Sequence, residues 1–272
     1  MALAPRVPSR RDAVTEAGAA VTPARDEPRP SVSVCMAAHD GAPWIEEMLA
    51  SVLAQLAPGD EVIVVDDAST DDTASLVEAI ADPRIWLHRN ETNLGYVRAF
   101  DRAMRISTGD IVLLADQDDV WVPGRVEAMV AALRTHAVVA TSVAVLGEPL
   151  VPPRWPLSAR QSSRRLTNLA ALLVGVRWYF GCAMGLRRDI LETVLPIPRW
   201  VTESHDLWIG IVGNVQGEMV HLEAPSVARR LHDDNQTPVG WRGPSQILGA
   251  RWMLVRCIRV ALRRTRRLRS RV

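Results

Sequence analysis

The sequence predicts an α/β fold in which a mainly parallel sheet is flanked by helices. β-rich apolar runs alternate with helical segments, the runs begin every 23–30 residues, and turn residues bound each of them. Such alternation is typical of βαβ units, whose helices cover the faces of a parallel sheet. The chain has 272 residues, of which 48% are hydrophobic and 23% are charged, so it can bury a core of this kind.

The predicted elements follow one another from residue 31. Apolar runs indicate strands at 31–38, 61–67, 84–89 and 110–116. The segment 42–56 places its apolar side chains on one helical face: Trp44, Ile45, Met48, Leu49, Val52, Leu53 and Leu56. Ser69, followed three residues later by Asp72, is similar to a capping box and predicts the start of a second helix. A third helix is marked by Val97, Phe100 and Met104.

Composition divides the chain into parts. Residues 1–30 hold five Pro and five Arg among small residues, which predicts a disordered leader before a domain at 31–245. No stretch approaches the ~20 apolar residues that span a bilayer, and we find no pattern of a signal peptide. Cys35, Cys182 and Cys257 are odd in number and far apart, so we expect buried thiols in a reducing cytoplasm.

All 32 basic residues are Arg, which excludes mechanisms that need a catalytic Lys. Residues 1–245 carry 23 of them against 31 carboxylates, whereas residues 246–272 carry nine Arg and no acid. The segment 246–272 predicts a basic amphipathic helix. Its apolar face holds Leu254, Val255, Ile258, Ala261 and Leu262, and its basic face holds Arg256, Arg259, Arg263, Arg266 and Arg267.

We expect residues 250–272 to bind an anionic membrane surface, because a basic amphipathic helix is typical of such segments. The competing interpretations are a tail that binds nucleic acid and a helix that packs on the domain. We expect no nucleic-acid partner. The predicted location is cytoplasmic, peripheral to the inner face of the plasma membrane.

Ligands of open α/β sheets bind at the carboxyl ends of the strands. Three loops lie there, at 37–41, 66–70 and 116–119. The last loop holds three carboxylates in four residues: Asp116, Asp118 and Asp119. Their charges repel one another unless a cation is bound, and Mg²⁺ or Mn²⁺, which also bind diphosphates, suit such oxygen ligands. A metal site is therefore predicted, with an exposed acidic turn before a helix at Val122 as the alternative.

Two further clusters have both a functional and a structural interpretation. Asp67, after the second strand, can accept the N3–H of uracil or thymine, or it can belong to a plain turn. Arg230 and His232 can neutralise phosphate charge and ligate a metal, or they can lie in a solvated loop. For neither cluster does the local sequence decide between the functional and the structural interpretation.

A third cluster, HDLWIG, contains a candidate general base. Asp206 follows His205 and precedes Trp208, whose indole could form a platform for a sugar ring. The alternative is that the His-Asp pair forms the N-cap of a helix.

Taken in order, these motifs resemble one known family. They are MAAHDGAPWIEEMLASVLAQ, VVDDASTDDT, NETNLGYVRAF, GDIVLLADQDDVW, GCAMGLRRDIL, HDLWIG and RRLHDDNQ. From Ser31 to about Pro238 the chain is similar to the family 2 inverting glycosyltransferases, which have the GT-A fold, and it resembles their bacterial rhamnosyltransferase-like branch.

The resemblance implies a role for each matching residue. The donor nucleotide would be bound by Ala37, Ala38, His39, Asp40, Asp67, Asn93, Gly95, Asp116 and Gln117, with Asp67 on the pyrimidine base. The divalent cation, Mg²⁺ or Mn²⁺, would be held by Asp118, Asp116 and His232, and a contact from Asp119 is left open. The catalytic base would be Asp206. The diphosphate or the acceptor would lie near Arg230, Gly181, Cys182, His205 and Trp208.

The reaction that the resemblance implies is a single displacement, in which Asp206 takes a proton from an acceptor hydroxyl and the anomeric configuration inverts. The favoured donor is dTDP-rhamnose, with a UDP-sugar as the alternative, and the acceptor is a cell-envelope glycan or a lipid-linked intermediate. Processive synthases carry Gln-x-x-Arg-Trp, but here Gln246 lies too far before Arg251, so transfer of a single sugar is expected.

The chain departs from the family pattern at two places, and two other classes compete. His39 and Asp40 replace a usual Tyr-Asn pair, and Arg229 replaces an aromatic residue. A sugar nucleotidyltransferase is disfavoured because the AAHDG loop and the whole chain lack Lys. A catalytically silent binding subunit is disfavoured because Asp118 and Asp206 are retained.

Overall fold

The structure is a computed structural model that describes residues 28–149, 157–232 and 244–270. Within these ranges the strands are β1 (Val32–Ala38), β2 (Glu61–Asp66), β3 (Ile85–Arg89), β4 (Ile111–Asp116), β5 (Val120–Trp121), β6 (Val138–Val145), β7 (Met184–Arg187) and β8 (Met219–Arg229). The helices are α1 (Ile45–Leu53), α2 (Thr73–Ala79), α3 (Tyr96–Ile106), α4 (Arg125–Leu133), α5 (Arg165–Val174), α6 (Leu191–Val194), α7 (His205–Gln216) and α8 (Pro244–Arg269). The leader predicted at 1–30 lies almost wholly outside the described residues.

The described strands form one sheet in the order β3-β2-β1-β4-β7-β6-β8-β5. Strands β1 to β4 pair in parallel, and so do β6 and β8, whereas β7 and β5 pair antiparallel to their neighbours. The predicted mainly parallel α/β fold is confirmed, and so are the four predicted strands. In the register, Ala38 lies beside Asp66 of β2 and Ala37 beside Asp116 of β4, so the three predicted loops meet at one edge.

The apolar strands are buried on both faces. Alternate residues of β1 pack into two separate cores, with Cys35 in one and Val34 and Met36 in the other. Helices α1, α2 and α4 cover the second core, and α3 with α5 to α8 covers the first. Four apolar residues of the predicted face of α1 are fully buried: Ile45, Met48, Leu49 and Val52. Helix-period patterning therefore identified the packing face correctly.

The capping box predicted for α2 is wrong. Helix α2 begins at Thr73, and its N-cap residue, Asp72, makes no side-chain cap hydrogen bond. The hydroxyl of Ser69 instead accepts the Asp40 N–H at 3.0 Å. A tertiary contact with the loop after β1 replaced the local contact that the pattern suggested.

The C-terminal helix α8 packs on the domain. It begins two residues before the predicted boundary at 246, and its buried stripe is Leu254, Cys257, Ala261 and Thr265. Its main partner is α7. Arg251 donates to carbonyl groups in the last turn of α5, and Arg264 donates to those of Thr193 and Val194 at the end of α6. These arginines satisfy carbonyls that a helix end leaves without partners.

The tail thus packs on the domain, as one of the competing interpretations expects. Leu254 and Ala261 of the predicted apolar face are buried there, whereas Leu262 of the same face is exposed. Membrane binding stays a prediction. Among the helices of the described residues, none combines the length and the apolar character that crossing a membrane requires.

Candidate active site

One cavity of about 900 Å³ lies where the carboxyl ends of β1, β2 and β4 face the start of α7. Its wall includes these residues singled out from the sequence: Ala37, Ala38, His39, Asp40, Asp67, Asn93, Gly95, Asp116, Gln117, Asp118, Gly181, Cys182, His205, Asp206 and His232. Segments as far apart as 37 and 232 therefore share one cavity. Its volume is in the range of cavities that bind small molecules.

The loop after β1 is held by side chains from two neighbouring strand ends. The Gln117 amide accepts the backbone N–H of His39 at 2.8 Å and donates to the carbonyl of His39 at 2.8 Å. The carboxylate of Asp40 accepts the N–H of Thr70 at 2.7 Å, and this hydrogen bond lowers the pKa of Asp40. A Cβ at Gly41 would overlap the Gln117 amide, so a side chain there would displace Gln117 from these two hydrogen bonds.

Asp67 is buried and accepts three N–H donors of its own chain. They are the Gly95 amide at 2.7 Å, the Leu94 amide, which is shared between both oxygens, and the side-chain amide of Asn90. Each Asp67 oxygen already takes two of these contacts, so a ligand N–H would have to displace or share the bifurcated Leu94 N–H. The turn chemistry considered as the alternative is therefore real.

The acidic cluster forms at the end of β4. Ligand atoms of Asp116, Asp119 and Cys182 lie within 4.8 Å of one another. Burial, followed by the charge of Asp119, raises the pKa of Asp116 well above its ordinary value. Burial, followed by the charge of Asp118, raises the pKa of Asp119 to about 6. These carboxylates are crowded in a way that a cation would relieve.

The donors fit a divalent cation. Asp119 is 3% exposed, and its Oδ2 atom is buried without a hydrogen-bond partner among the described residues. Oxygen donors suit Mg²⁺ and Mn²⁺, and a cysteine sulfur favours softer ions. The sequence left Asp119 open as a ligand and placed Cys182 near the diphosphate or acceptor, and the geometry brings both beside Asp116.

The two other residues predicted to bind the metal contact each other. His232 Nε2 lies 2.7 Å from Asp118 Oδ2, and the His232 ring stacks on Trp44 at a centroid distance of 4.3 Å. The contact brings the segment after β8 over the acidic loop. Metal binding by Asp118 and His232 stays a prediction.

Arg229 rather than Arg230 lies in the wall of the cavity, and the vicinity of Arg230 to the diphosphate or acceptor stays a prediction. Arg229 lines the cavity with its guanidinium over the Phe180 ring, 5.0 Å from the centroid. Arg230 does not line it, because its guanidinium contacts Glu47 and the carbonyl of Asp118. Successive residues of a strand point to opposite sides, and β8 ends at Arg229, so the two arginines diverge.

Asp206 lies in the first turn of α7, where the helix dipole favours a carboxylate. Its Oδ1 atom accepts the N–H of Leu207 at 2.8 Å. Burial nevertheless raises the pKa of Asp206 to about 7. A carboxylate with a pKa near neutrality is suited to take a proton at physiological pH. The N-cap residue of α7 is Ser204, so the structural alternative for the His-Asp pair is wrong.

The neighbours of Asp206 differ from the sequence interpretation. His205 stacks on Phe100 at 4.3 Å, and burial lowers the pKa of His205 to about 3, which keeps it neutral. A Cβ at Gly181 would overlap the His205 ring, so this close approach requires glycine. Trp208 is 1% exposed, and its indole N–H donates to the carbonyl of Val194 at 2.9 Å. The prediction of Trp208 as a sugar platform is wrong, because it is a core residue.

Sequence reasoning missed the aromatic wall of the cavity. It includes Tyr96, Trp178, Tyr179 and Phe180, and the last three directly precede Gly181. Three consecutive aromatic residues before a predicted wall residue were the signal that could have found them. Arg177 and Arg251 are also in the wall of the cavity, so its lining has basic as well as acidic side chains.

A cavity at the carboxyl ends of parallel strands, with a carboxylate cluster and a separate buried Asp, is typical of α/β enzymes that act on nucleotide-linked substrates. Comparison with known proteins gives the family. The profile of glycosyl transferase family 2 matches residues 33–195, which is more than half of the chain. The chain belongs to glycosyltransferase family 2. The matched segment contains the nucleotide loop and the acidic cluster and ends before Asp206.

Curated relatives share part of their length with this chain. An uncharacterized glycosyltransferase of Nostoc sp. is 28% identical over 172 residues, which are 61% of this chain and 53% of the relative. The Escherichia coli enzyme WfaP, a UDP-Glc:alpha-D-GlcNAc-diphosphoundecaprenol beta-1,3-glucosyltransferase, is 32% identical over 107 residues, which are 39% of this chain and 43% of that enzyme. The matches span about half of the relatives' length or less.

Solved structures show the same fold. Residues 1–349 of S. aureus TarS in complex with UDP-GlcNAc superpose with a TM-score of 0.66 at 18% identity, covering 84% of this chain and 66% of that chain. The complex of the same protein with UDP gives a TM-score of 0.63. The fold is of the GT-A type, as the resemblance implied, while the rhamnosyltransferase branch stays a prediction.

Proposed function

We propose that this chain transfers a single sugar from a pyrimidine nucleoside-diphosphate donor to a hydroxyl of a cell-envelope glycan or lipid-linked acceptor, with inversion of configuration. One observation carries the proposal: the nucleotide loop, the carboxylates Asp116 and Asp118, and Asp206 line the same cavity, although the chain separates the first from the last by more than 160 residues. The cavity wall at the carboxyl ends of β1, β2 and β4 would bind the donor, and Asp206 at the start of α7 would act on the acceptor.

In the proposed step the acceptor oxygen attacks the anomeric carbon as its proton passes to the Asp206 carboxylate. The bond from the anomeric carbon to the diphosphate oxygen breaks, and the nucleoside diphosphate leaves with the electron pair. A positioned base of this kind contributes a factor of about 10²–10⁴ to the rate. Because attack and departure lie on opposite faces of the carbon, the configuration inverts.

The leaving diphosphate must be neutralised without Lys. The residues that would hold a divalent cation are Asp116, Asp119 and Cys182, with Asp118 and His232 as the sequence prediction. A bound cation supplies Lewis-acid stabilisation of the leaving group. Arg229 faces the same cavity and provides a fixed positive charge, which also opposes the rise in pKa of Asp116, Asp119 and Asp206.

We propose a UDP-sugar as the donor, with dTDP-rhamnose, which the sequence favoured, as the alternative. Asp67 lines the cavity, and its carboxylate suits the N3–H that uracil and thymine share if that N–H displaces the Leu94 N–H from one of the two oxygens it contacts. The WfaP and WfgD enzymes, whose names state UDP-Glc donors, are each 32% identical to this chain over about a third or more of its length. A hydrogen bond to N3–H does not distinguish uracil from thymine, so the identity of the donor has to be measured.

The test is a donor panel. Purified protein is incubated with UDP-glucose, UDP-GlcNAc, UDP-galactose or dTDP-rhamnose, with Mn²⁺ or Mg²⁺ and a diphosphoundecaprenol-linked monosaccharide, and the product is identified by mass. We expect an increase of one hexose, deoxyhexose or N-acetylhexosamine from one donor of the panel. Absence of any lipid-linked product, together with absence of donor binding in calorimetry, would contradict the proposal.

We further propose that the protein is cytoplasmic and lies at the inner face of the plasma membrane through α8. Because the buried stripe of α8 is occupied by the domain, the contact would be made by its exposed arginines: Arg259, Arg263, Arg266 and Arg267. Exposed apolar side chains, Leu248 at 72% and Trp252 at 57%, lie on the same helix. An Arg near an anionic leaflet contributes about 1 kcal/mol, reduced by salt.

The membrane contact is tested with vesicles that contain phosphatidylglycerol. Replacing Arg263, Arg266 and Arg267 by Gln should weaken co-sedimentation, while the same change at three exposed arginines of the domain should not. The matched control residues are Arg160, Arg164 and Arg165. Equal loss in both triple variants would show that net charge, not α8, determines binding.

A further inference from the structure

The segment that presents the proposed base is a loop with little regular structure. It runs from Leu195 to Ser204, between α6 and α7, and Asp206 follows in the first turn of α7. Ser204 has φ 62° and ψ 50°, a left-handed conformation that a side chain with a Cβ disfavours. The direction of α7, and with it the position of Asp206, depends on what holds this residue.

Helix α3 anchors the loop through two side chains. Arg98 donates to three of its carbonyls, those of Ile197 at 2.9 Å, Pro198 at 3.2 Å and Val201 at 2.6 Å. Asp101 accepts the N–H of Ile197 at 2.6 Å. Four backbone groups of this loop, at three residues, are thus held by α3.

Tyr96 holds the last residue before α7. Its hydroxyl oxygen accepts the N–H of Ser204 at 2.9 Å, and its ring packs edge-on against His205 at a centroid distance of 5.6 Å. The same ring lines the cavity. Tyr96 is therefore in contact with both residues that precede Asp206.

The first turn of α3 also touches the nucleotide site. Helix α3 begins directly after Gly95, whose N–H binds Asp67 at 2.7 Å. One short stretch, residues 95–98, therefore contacts the carboxylate proposed to bind the nucleobase and the loop that carries the proposed base. A shift of this stretch would change the distance between the two sites.

We propose that Tyr96 and Arg98 are positioning residues for Asp206: they hold the loop 195–204, and in particular the left-handed Ser204, so that the carboxylate faces the acceptor hydroxyl. The inference rests on the proposed function, because it takes Asp206 as the base. Neither residue takes a proton in the reaction. Their effect is on how often the carboxylate is correctly placed, which changes kcat and leaves donor binding intact.

The proposal is tested first at Tyr96. Tyr96→Phe removes the acceptor for the Ser204 N–H and keeps the ring, so kcat should fall about tenfold while KM for the donor changes less than twofold. Ser204→Gly in the Tyr96→Phe background should restore most of kcat, because glycine adopts the left-handed conformation without help. If Tyr96→Phe has wild-type kcat, or if the added glycine restores nothing, the positioning role is overturned.

Arg98 is tested against a matched arginine. Arg98→Met should lower kcat and speed amide hydrogen exchange in residues 196–207. Arg187 also donates to a backbone carbonyl, that of His136. It lies beside Ile111, at the start of β4, whereas the cavity lies at the other end of that strand. Arg187→Met should destabilise the fold to a similar extent and leave kcat unchanged. Equal losses of kcat in the two variants would overturn the proposal.

Asp206→Asn separates this inference from the proposed function. An inactive Asp206→Asn together with a fully active Tyr96→Phe overturns the positioning role alone. A fully active Asp206→Asn overturns the assignment of the base, and the positioning role with it.

Discussion

The two halves of the cavity differ in how many N–H groups donate hydrogen bonds to their carboxylates. In the nucleotide half, defined by residues 37–41, Asp67, 93–95 and Gln117, carboxylates accept backbone N–H groups. Asp40 has a lowered pKa because Thr70 donates to it, and Asp67 has three donors. These hydrogen bonds are part of the fold, and they stay satisfied without a ligand.

In the reaction half, defined by Asp116, Cys182, Asp206 and Arg229 with Asp119 behind them, the carboxylates have fewer such donors. Asp206 Oδ1 accepts the Leu207 N–H at 2.8 Å, and Asp119 Oδ1 accepts the Arg230 N–H at 3.3 Å. Burial raises the pKa of Asp119 to about 6 and that of Asp206 to about 7. Asp119 Oδ2 is buried without a hydrogen-bond partner among the described residues. The charges that would satisfy this half are a cation and the proton that moves in the reaction.

The difference shows where function opposes stability. Charged groups that backbone amides satisfy stabilise the folded state, whereas crowded buried carboxylates destabilise it when they ionise. Raised carboxyl pKa values commonly mark sites of acid–base chemistry. Variants in the two halves should therefore have effects of different kind, and each prediction below tests that contrast.

The largest expected effect is on turnover in the reaction half. Asp206→Asn should lower the transfer rate by about 10²–10⁴-fold, because the amide cannot take a proton. Binding of the nucleotide should stay within twofold of wild type in isothermal titration calorimetry. By contrast, Asp67→Asn should raise KM for the donor more than it lowers kcat. A loss of nucleotide binding in Asp206→Asn would break the division into two halves.

A smaller effect, on KM for the donor, is expected for Arg229, which lines the cavity. Arg229→Met should raise KM for the donor about tenfold or more, since a hydrogen bond to a charged group contributes about 1.5–3 kcal/mol. Arg230→Met, whose guanidinium pairs with the exposed Glu47, should have a weaker effect. Initial rates over a range of donor concentration measure both. A stronger effect of Arg230→Met would restore the sequence interpretation.

The next effect is the pH dependence of the rate. The ionised form of Asp206 is the active base, so kcat/KM should rise up to about tenfold per pH unit below its pKa of about 7 and level off above it. The pKa of Asp206 in the free enzyme is obtained from kcat/KM measured by initial rates between pH 5.5 and 9. A rate that falls as pH rises through this range would contradict the role of Asp206.

The sequence predicted the elements of the first half of the fold because β1 to β4 are continuous apolar runs separated by helices. It did not predict the antiparallel strands β5 and β7, which are short and depend on partners far along the chain. The candidate residues in the loops at 37–41, 66–70 and 116–119 were found for the same reason. Ligands of open α/β sheets bind at the carboxyl ends of the strands, and these ends can be located once the strands are predicted.

Side-chain direction was the part that the sequence could not supply. Trp208 lies two residues after Asp206, but α6 covers it and converts an apparent platform into a core residue. Arg229 lines the cavity and Arg230 does not, because side chains of successive residues at the end of β8 point to opposite sides. Tyr96 and Arg98 were passed over because their loop partners are about 100 residues away.

The most direct test of the contrast between the halves is thermal unfolding of Asp67→Asn and Asp206→Asn at pH 8, without substrate or metal. Asp67→Asn places an NH₂ group against amide donors, so its Tm should fall. The pKa of Asp206 is raised in the fold, so its ionised form costs stability above that pKa and the cost vanishes as pH falls below the ordinary carboxyl value. Asp206→Asn should therefore raise Tm at pH 8, with a smaller gain at pH 5. Shifts of the same sign in both variants at pH 8 would contradict the account.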